Sequence, residues 1–300
     1  MKISALLYFL KFGLKTVLLK KQNPLIGVVI VTDRCNLNCR HCSVHNIRSV
    51  CYPYDQIVQA MTALYNQGVR VLIFCGGEPC LWQDGEKSLS HLIQKGKSLG
   101  FFYINVVTNG TLPLNLPDVD LIMISLDGDR EHHNAIRGDT YDTIIEHIRT
   151  APRANICLYM AINRINQTAI PSVCQLTQTL PNIKAVSFNF HTPYPDTVDL
   201  ALTQDEKAAC CRTIESMMDQ GTPVLNLRSV FPHLIANDFP RPCAQCVVVE
   251  DGRYYTCGRC RESPSLCEQC GYIFAAEYAL AFQGNLKVIV DMMCTYLKII

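Results

Sequence analysis

A partial parallel α/β barrel, a (β/α)6 TIM-like arrangement carrying a small Cys-rich C-terminal metal-binding module, is the fold class this sequence predicts. Three observations carry that expectation. Between residues 26 and 220, apolar, β-branched or aromatic runs alternate with longer segments of helical spacing. The apolar runs are nearly continuous in hydrophobicity, as strands covered on both faces are. Past a break marked by Pro232, Pro240 and Pro242, six cysteines fall between Cys243 and Cys270 with little apolar periodicity. In order, strand runs are expected at 26–31, 70–74, 102–107, 120–125, 155–161 and 185–190. Helical spacing lies between or after them at 55–67, 87–99, 141–150, 169–180 and 203–220. About six βα units is short of the eight of a complete barrel, so the barrel is expected to be partial. The expected divisions are a helix within 1–24, the barrel over 25–230, the cysteine-rich module over 231–285 and a terminal helix over 286–300.

The 300-residue length suits one large domain with an appendage, at roughly 150 residues per domain. Hydrophobic residues make up 49% and charged ones 18%, which excludes a disordered chain and allows a large buried core. A net charge of +1 gives no global pull toward nucleic acid. The charge is uneven, since residues 1–32 hold five lysines and no acid. Seventeen cysteines, an odd number with many Cys-x-x-Cys pairs, fit thiolates held for metal in a reducing cytosol better than a disulfide framework. Lysine interrupts the early apolar run and no small-residue cleavage site follows, so no secretory signal is expected. No stretch reaches the ~18 uninterrupted apolar residues of an ordinary membrane span.

Chemistry gathers at the ends of the strand runs. Directly after the first comes Cys35-Asn-Leu-Asn-Cys39-Arg-His-Cys42. Three thiolates this close on one loop can hold three corners of a cubane iron–sulfur cluster and leave the fourth iron open to a ligand. A zinc knuckle is the bland alternative for the spacing alone. The second run ends in Gly76-Gly77-Glu78-Pro79, where glycines permit close backbone approach and a carboxylate can accept from an ammonium group. The third ends in Thr108-Asn109-Gly110 and the fourth in Ser125-Leu126-Asp127-Gly128. In a parallel barrel these ends share the face on which active sites are built.

These motifs, in this order, make residues 26–220 resemble a radical S-adenosylmethionine enzyme. The resemblance implies a 4Fe–4S cluster whose open iron is chelated by S-adenosylmethionine. It also implies one-electron cleavage of that cofactor to methionine and a 5′-deoxyadenosyl radical that abstracts hydrogen. It implies Cys35, Cys39 and Cys42 as cluster ligands, and Gly76, Gly77 and Glu78 at the methionine amino group. Asn109, Ser125 and Asp127 would lie near the ribose or carboxylate, and His41 beside the adenine. Arg137 would be a carboxylate partner, or a surface salt bridge. Asn166 would be a further cofactor contact, or the cap of the helix after it. The expected electron source is a reductant such as ferredoxin or flavodoxin.

Cys243, Cys246, Cys257, Cys260, Cys267 and Cys270 form three Cys-x-x-Cys knuckles. A zinc ribbon is one reading of them. The resemblance favours an auxiliary 4Fe–4S cluster in a SPASM- or twitch-like region, with Gly252-x4-Cys257 similar to part of that pattern and the later family cysteines missing. Six ligands cannot fully hold two cubanes, and which four bind stays open. Cys75 and Cys80, flanking the Gly-Gly-Glu-Pro turn, read as small buried hydrophobes. His191 and Tyr194 follow the sixth strand run, where a substrate could be met or a turn made.

In residues 4–19, Ser4, Tyr8, Lys11 and Lys15 form one narrow polar stripe on an otherwise apolar helix, and Lys287, Asp291, Thr295 and Lys298 do the same near the C-terminus. Such helices either close the barrel or lie in a membrane interface at an anionic leaflet. The sequence therefore leads to a cytoplasmic enzyme, peripheral on the inner face of the membrane, that activates a C–H bond or alkene of a substrate such as a lipid. Cys267-Glu-Gln-Cys270-Gly-Tyr also resembles the C-terminal cluster of adenosylhopene-forming radical enzymes. A peptide maturase of the SPASM type is the alternative, and a non-catalytic iron–sulfur or zinc protein is the third reading.

Overall fold

The computed structural model describes residues 3–21, 23–42, 46–258 and 263–299. The chain opens with α1 (Ile3–Leu19), then β1 (Ile26–Thr32), α2 (Tyr54–Asn66) and β2 (Val71–Gly76). A two-rung hairpin, β3 (Gln83–Asp84) and β4 (Lys87–Ser88), precedes α3 (Leu89–Leu99), β5 (Tyr103–Thr108) and β6 (Leu121–Ser125). Next come α4 (Arg130–Arg137), α5 (Tyr141–Thr150), β7 (Ile156–Ile162), α6 (Ile170–Thr179), β8 (Ile183–Phe190) and α7 (Gln204–Asp219). The last part holds α8 (Phe231–Ala236), β9 (Cys246–Glu250), β10 (Arg253–Thr256), α9 (Pro264–Glu268), α10 (Ile273–Gln283) and α11 (Leu286–Ile299).

Among the described residues, one sheet runs β10-β9-β1-β2-β5-β6-β7-β8. Its pairs are parallel except for the β9–β10 hairpin. The six expected strand runs are thus its parallel core, and the protein is a partial α/β barrel. Burial along β2 alternates: Leu72 and Phe74 are fully buried, whereas Val71, Ile73 and Cys75 are half-buried. The buried set packs with Met61, Leu64, Leu92 and Ile93 of α2 and α3. Gly96 lets α3 come close to the sheet, since a Cβ there would lie 2.6 Å from Ile104 Cδ1. On the other side, Val28, Val71 and Ile73 pack against a smaller cluster that includes Phe12, Cys243, Cys246, Ala275 and Ala279.

The C-terminal part holds both sides of the open barrel. β9 pairs with β1 in register Ile26↔Cys246. Residues 271–273 bind the end of β8: Phe190 N–H donates to Gly271 O (2.8 Å), Gly271 N–H to Thr192 Oγ1 (3.1 Å) and Ile273 N–H to Asn189 Oδ1 (2.7 Å). Only glycine fits at 271, because a Cβ would sit 2.0 Å from Phe190 O.

α1 lies under the N-terminal ends of the strands. Its Tyr8 hydroxyl donates to Gly68 O, Phe9 stacks on Tyr103 at 6.2 Å and Phe12 meets Phe282 at 5.3 Å. The expected polar stripe is therefore corrected: Tyr8 faces the fold, and Lys11 and Lys15 share the outward face with leucines. The α11 stripe is corrected too. Asp291 accepts from Ser229 N–H (2.8 Å) and from Thr295 Oγ1 (3.3 Å), so this pair turns inward to cap a neighbouring turn. The Lys298 side chain lies outside the described residues.

Candidate active site

The loop after β1 is shaped by its own side chains. Buried Asp33 accepts from Arg48 N–H and Val50 N–H, both at 2.6 Å. Asn46 accepts from Cys35 N–H at 2.8 Å and donates to Cys35 O at 3.0 Å. Cys42 N–H closes a turn on Cys39 O at 3.0 Å. Neither Asp33 nor Asn46 stood out in the sequence, although an acid directly after a strand is a ready acceptor for loop N–H groups.

Gly76 and Gly77 press their backbone against this loop. A Cβ would lie 2.1 Å from Thr32 O at Gly76 and 2.3 Å from Arg34 O at Gly77. Gly77 N–H and Glu78 N–H donate to those same two carbonyls, both at 2.8 Å. The glycines are required because strand end and cysteine loop touch.

Glu78 is fully buried and its carboxylate is held by protein donors. Oε1 accepts from Cys80 N–H (3.0 Å) and Thr108 Oγ1 (2.7 Å), and Oε2 accepts from Asn109 N–H (2.7 Å). Burial pushes this carboxyl above its ordinary range, against the pull of the Asn109 and Cys80 N–H groups. The three hydrogen bonds tie β2 to β5, and Oε2, which accepts only from Asn109 N–H, keeps a lone pair for a further donor such as the expected ammonium group. Glu78→Ala should orphan three donors at about 1–3 kcal/mol each before relaxation. Its urea midpoint should fall well below the parent's, and an unchanged midpoint would remove Glu78 from this role.

Asn109 stands beside the first thiol. Its Nδ2 donates to Asn36 Oδ1 (2.9 Å) and approaches Cys35 Sγ (3.8 Å). Ser125 is buried at the end of β6. Asp127 is wholly buried, accepting from Arg137 Nε (2.6 Å) and Ala161 N–H (3.0 Å), while its own N–H donates to His133 Nδ1 (3.2 Å). Burial is the largest influence on Asp127 and opposes its ionisation, but Arg137, His41, the Ala161 N–H and His133 together outweigh it and hold the carboxyl below its ordinary value. Burial drives His133 down to about 4, so it is a neutral acceptor at pH 7.

Arg137 is not a surface salt bridge. Its guanidinium spans Asp127, Cys39 Sγ (NH1, 3.7 Å) and His41 Nε2 (NH2, 3.4 Å). Burial raises the Cys39 thiol to about 11, against the pull of Arg137. The His41 ring stands edge-on to His191 at 6.3 Å, and His191 Nε2 lies 3.0 Å from Thr197 Oγ1. Asn166 is a strut: its Nδ2 donates to Asp127 O and Ala161 O, both at 3.1 Å, and its Oδ1 accepts from Asn163 N–H at 2.7 Å. It makes no side-chain cap bond. Cys39, Arg137, Asp127 and His41 thus form one connected group, and Asn109 with Cys35 a second beside the same cysteine loop.

Of the C-terminal cysteines, Cys243, Cys246 and Cys257 share the small apolar cluster under β1, and Cys257 N–H donates to Cys246 O at 2.7 Å. Burial raises Cys243 to about 11, with Cys270 adding to it; burial likewise raises Cys246, with Cys243 and Cys257 adding. Cys267 lies on α9 near Arg241, and Cys260 is outside the described residues. Among the described residues, no three His, Cys, Asp or Glu side chains gather around a point as ligands of a single ion would.

A model of the radical SAM superfamily matches residues 29–176. Fe-coproporphyrin III synthase of Methanosarcina barkeri is 28% identical over 174 residues, covering 53% of this chain and 42% of that protein. The fold is similar to that of Streptococcus suis SuiB bound to S-adenosylmethionine, with TM-score 0.63 and 15% identity over 79% of this chain and 60% of that one. It is also similar to anSMEcpe with bound AdoMet and Kp18Cys peptide, with TM-score 0.60 and 16% identity over 91% and 84%. At such identities the two structures show the fold alone. The chain spans less than half the length of the curated relative named.

Proposed function

We propose that this chain, whose residues 29–176 belong to the radical SAM superfamily, cleaves S-adenosylmethionine reductively at a 4Fe–4S cluster to activate a C–H bond or alkene of its substrate. One observation carries the reading. The three loop cysteines face a strand-end group that aims Asn109 Nδ2 at Cys35 Sγ and Arg137 NH1 at Cys39 Sγ. N–H donors on sulfur suit thiolates that carry cluster charge, so the residues present fit the group. Cys35, Cys39 and Cys42 would hold it. When bound, cluster and cofactor supply the one-electron cleavage that yields methionine and a 5′-deoxyadenosyl radical.

The chain's own residues position and insulate. Gly76 and Gly77 bring the end of β2 onto the cysteine loop, and Glu78 fixes the Thr108–Asn109 corner from behind. Arg137, held by Asp127, puts a permanent positive charge beside the ligand Cys39. Asn109, Ser125, Asp127, His41 and Asn166 surround or brace the space in which the resemblance places the nucleoside. Cys243, Cys246, Cys257 and Cys270 are the proposed auxiliary ligands, with zinc as the other metal. A ferredoxin or flavodoxin would deliver the electron.

For the substrate, the resemblance of Cys267–Tyr272 to hopene-modifying enzymes supports a lipid. The likeness to folds solved with a peptide supports a peptide instead. The dithionite-reduced protein, reconstituted without oxygen, should release 5′-deoxyadenosine and methionine in equal amounts even without substrate. Absence of both products from cluster-replete protein would leave the non-catalytic reading.

A further inference from the structure

We propose that the outward face of α1, continued by the first turns of α11, docks on an anionic bilayer surface. The docking is independent of the chemistry proposed above. It rests on a division of labour within one helix. Ala5, Phe12 and Thr16 are buried against the fold, with Tyr8 and Phe9 half-buried beside them. On the other side Leu7, Leu14 and Leu18 are 61%, 59% and 69% exposed, with Leu10 beside them. A helix that had only to close the barrel would carry polar residues there. The face does not end with α1. Gly284 lies next to Val17, where a Cβ would come within 3.3 Å of Val17 Cγ1. From there α11 starts and presents Leu286 and Val290, both exposed.

Charge decides what covers this surface. Lys11 and Lys15 stand among the leucines, Lys20 and Lys21 follow the helix, and Lys287 lies at the start of α11, all of them exposed. Residues 1–32 contain no acid to balance them. A second copy related by two-fold symmetry would set these lysines against their own equivalents. Protein interfaces also tend to exclude lysine from their apolar centre. An anionic leaflet accepts both components: leucines enter the acyl boundary while lysine stems reach back to the phosphates. Among the described residues no helix is long and apolar enough to cross a membrane, so the contact is in-plane.

The geometry also orients the molecule. α1 sits below Gly68 and Tyr103, at the N-terminal ends of β2 and β5, whereas Cys35–Cys42 lies beyond the C-terminal end of β1. A six- or seven-residue strand spans roughly 20 Å, so docking leaves the cysteine loop facing away from the bilayer.

The test uses the full-length, cluster-loaded protein and extruded vesicles of phosphatidylcholine with or without phosphatidylglycerol. Flotation should show binding that needs the anionic lipid and weakens roughly tenfold or more from 0.1 to 1 M salt, as the Debye length shrinks from about 10 to about 3 Å. The combined Leu7→Ser, Leu14→Ser and Leu18→Ser variant should lose at least about nine tenths of the bound fraction, since the in-plane contact depends on apolar area. Iron content and unstimulated nucleoside release should stay at the parent's level, because these side chains point away from the fold. A Lys11→Gln/Lys15→Gln variant should bind anionic vesicles at least about tenfold more weakly, with a shallower salt dependence rather than none, because Lys20, Lys21 and Lys287 remain. Failure of the parent to float with either vesicle overturns the proposal, as does equal binding by the serine variant. A concentration-dependent dimer abolished by the serine variant would assign the face to a second copy instead. Loss of nucleoside release in the parent would count against the enzymatic reading and leave the docking result intact.

Discussion

Replacing Cys35, Cys39 and Cys42 together by alanine should abolish nucleoside cleavage and lower the iron of the reconstituted protein from about eight atoms to about four. The expected drop is one cubane because the other proposed ligands lie apart: Cys243, Cys246 and Cys257 pack under β1 with Phe12, away from the loop that carries the triad. The variant should fold, since the loop is also held by Asp33 and Asn46, which do not depend on the thiols. Iron and acid-labile sulfide assays with electron paramagnetic resonance of the reduced protein make the measurement. A variant with the parent's iron content would remove the triad from cluster binding. A parent that saturates near four irons with one tightly held zinc would put a ribbon in the C-terminal region.

A large loss of stability from a single substitution is also expected at Arg137→Met. It leaves the Asp127 carboxylate inside the protein without its cation, and breaking one side of a buried pair costs about 3–5 kcal/mol. Asp127→Asn combined with Arg137→Met should recover much of that, because no unpaired charge then remains. The pH dependence has a definite sign. The Asp127 folded value is depressed, so the stability it contributes is full well above the ordinary carboxyl value near 4 and disappears as pH falls through the depressed one. The parent should therefore lose stability over that acid window and the double variant should lose less. Urea midpoints at pH 7 and pH 3.5 decide it, and equal midpoints for parent and Arg137→Met at pH 7 would sink the argument.

Much of this was readable because strand-to-helix alternation is a local pattern and the motif residues sit at strand ends. The run at 102–107 became β5 (Tyr103–Thr108), and 141–150 is α5 unchanged. What stayed hidden depends on partners distant in sequence. Nothing near Glu78 in sequence reveals that Thr108 and Asn109 donate to its carboxylate and make it a brace between β2 and β5. Arg137 and Asn166 were each open to two readings, and only the fold brings both to Asp127. The β9–β10 hairpin did have a local signal: Asp251-Gly252 between Val-rich and Tyr-containing runs, both residues at positive φ. The surrounding cysteines drew attention to metal spacing instead. For α1, periodicity alone could not tell which apolar side was inside, because the buried side is aromatic and the outer one leucine.

The pairing of β9 with β1 also governs the order in which the protein can be made. Ile26 leaves the ribosome some 220 residues before Cys246, its neighbour in the sheet. At the usual 5–20 residues per second, that separates their synthesis by roughly 10–40 s. Throughout this interval one side of β1 keeps its peptide groups unpaired, and the end of β8 later waits for residues 271–273 in the same way. Helices and central strands can assemble as they emerge, and residues 223–226 cover β8 at Val186 and Phe188, but β1 and the end of β8 at Phe190 stay open until roughly the last sixty residues are made. The nascent protein thus passes through a long-lived, edge-exposed stage whose length is set by translation speed, and the yield of folded molecules in a cell depends on what shields those margins in the meantime.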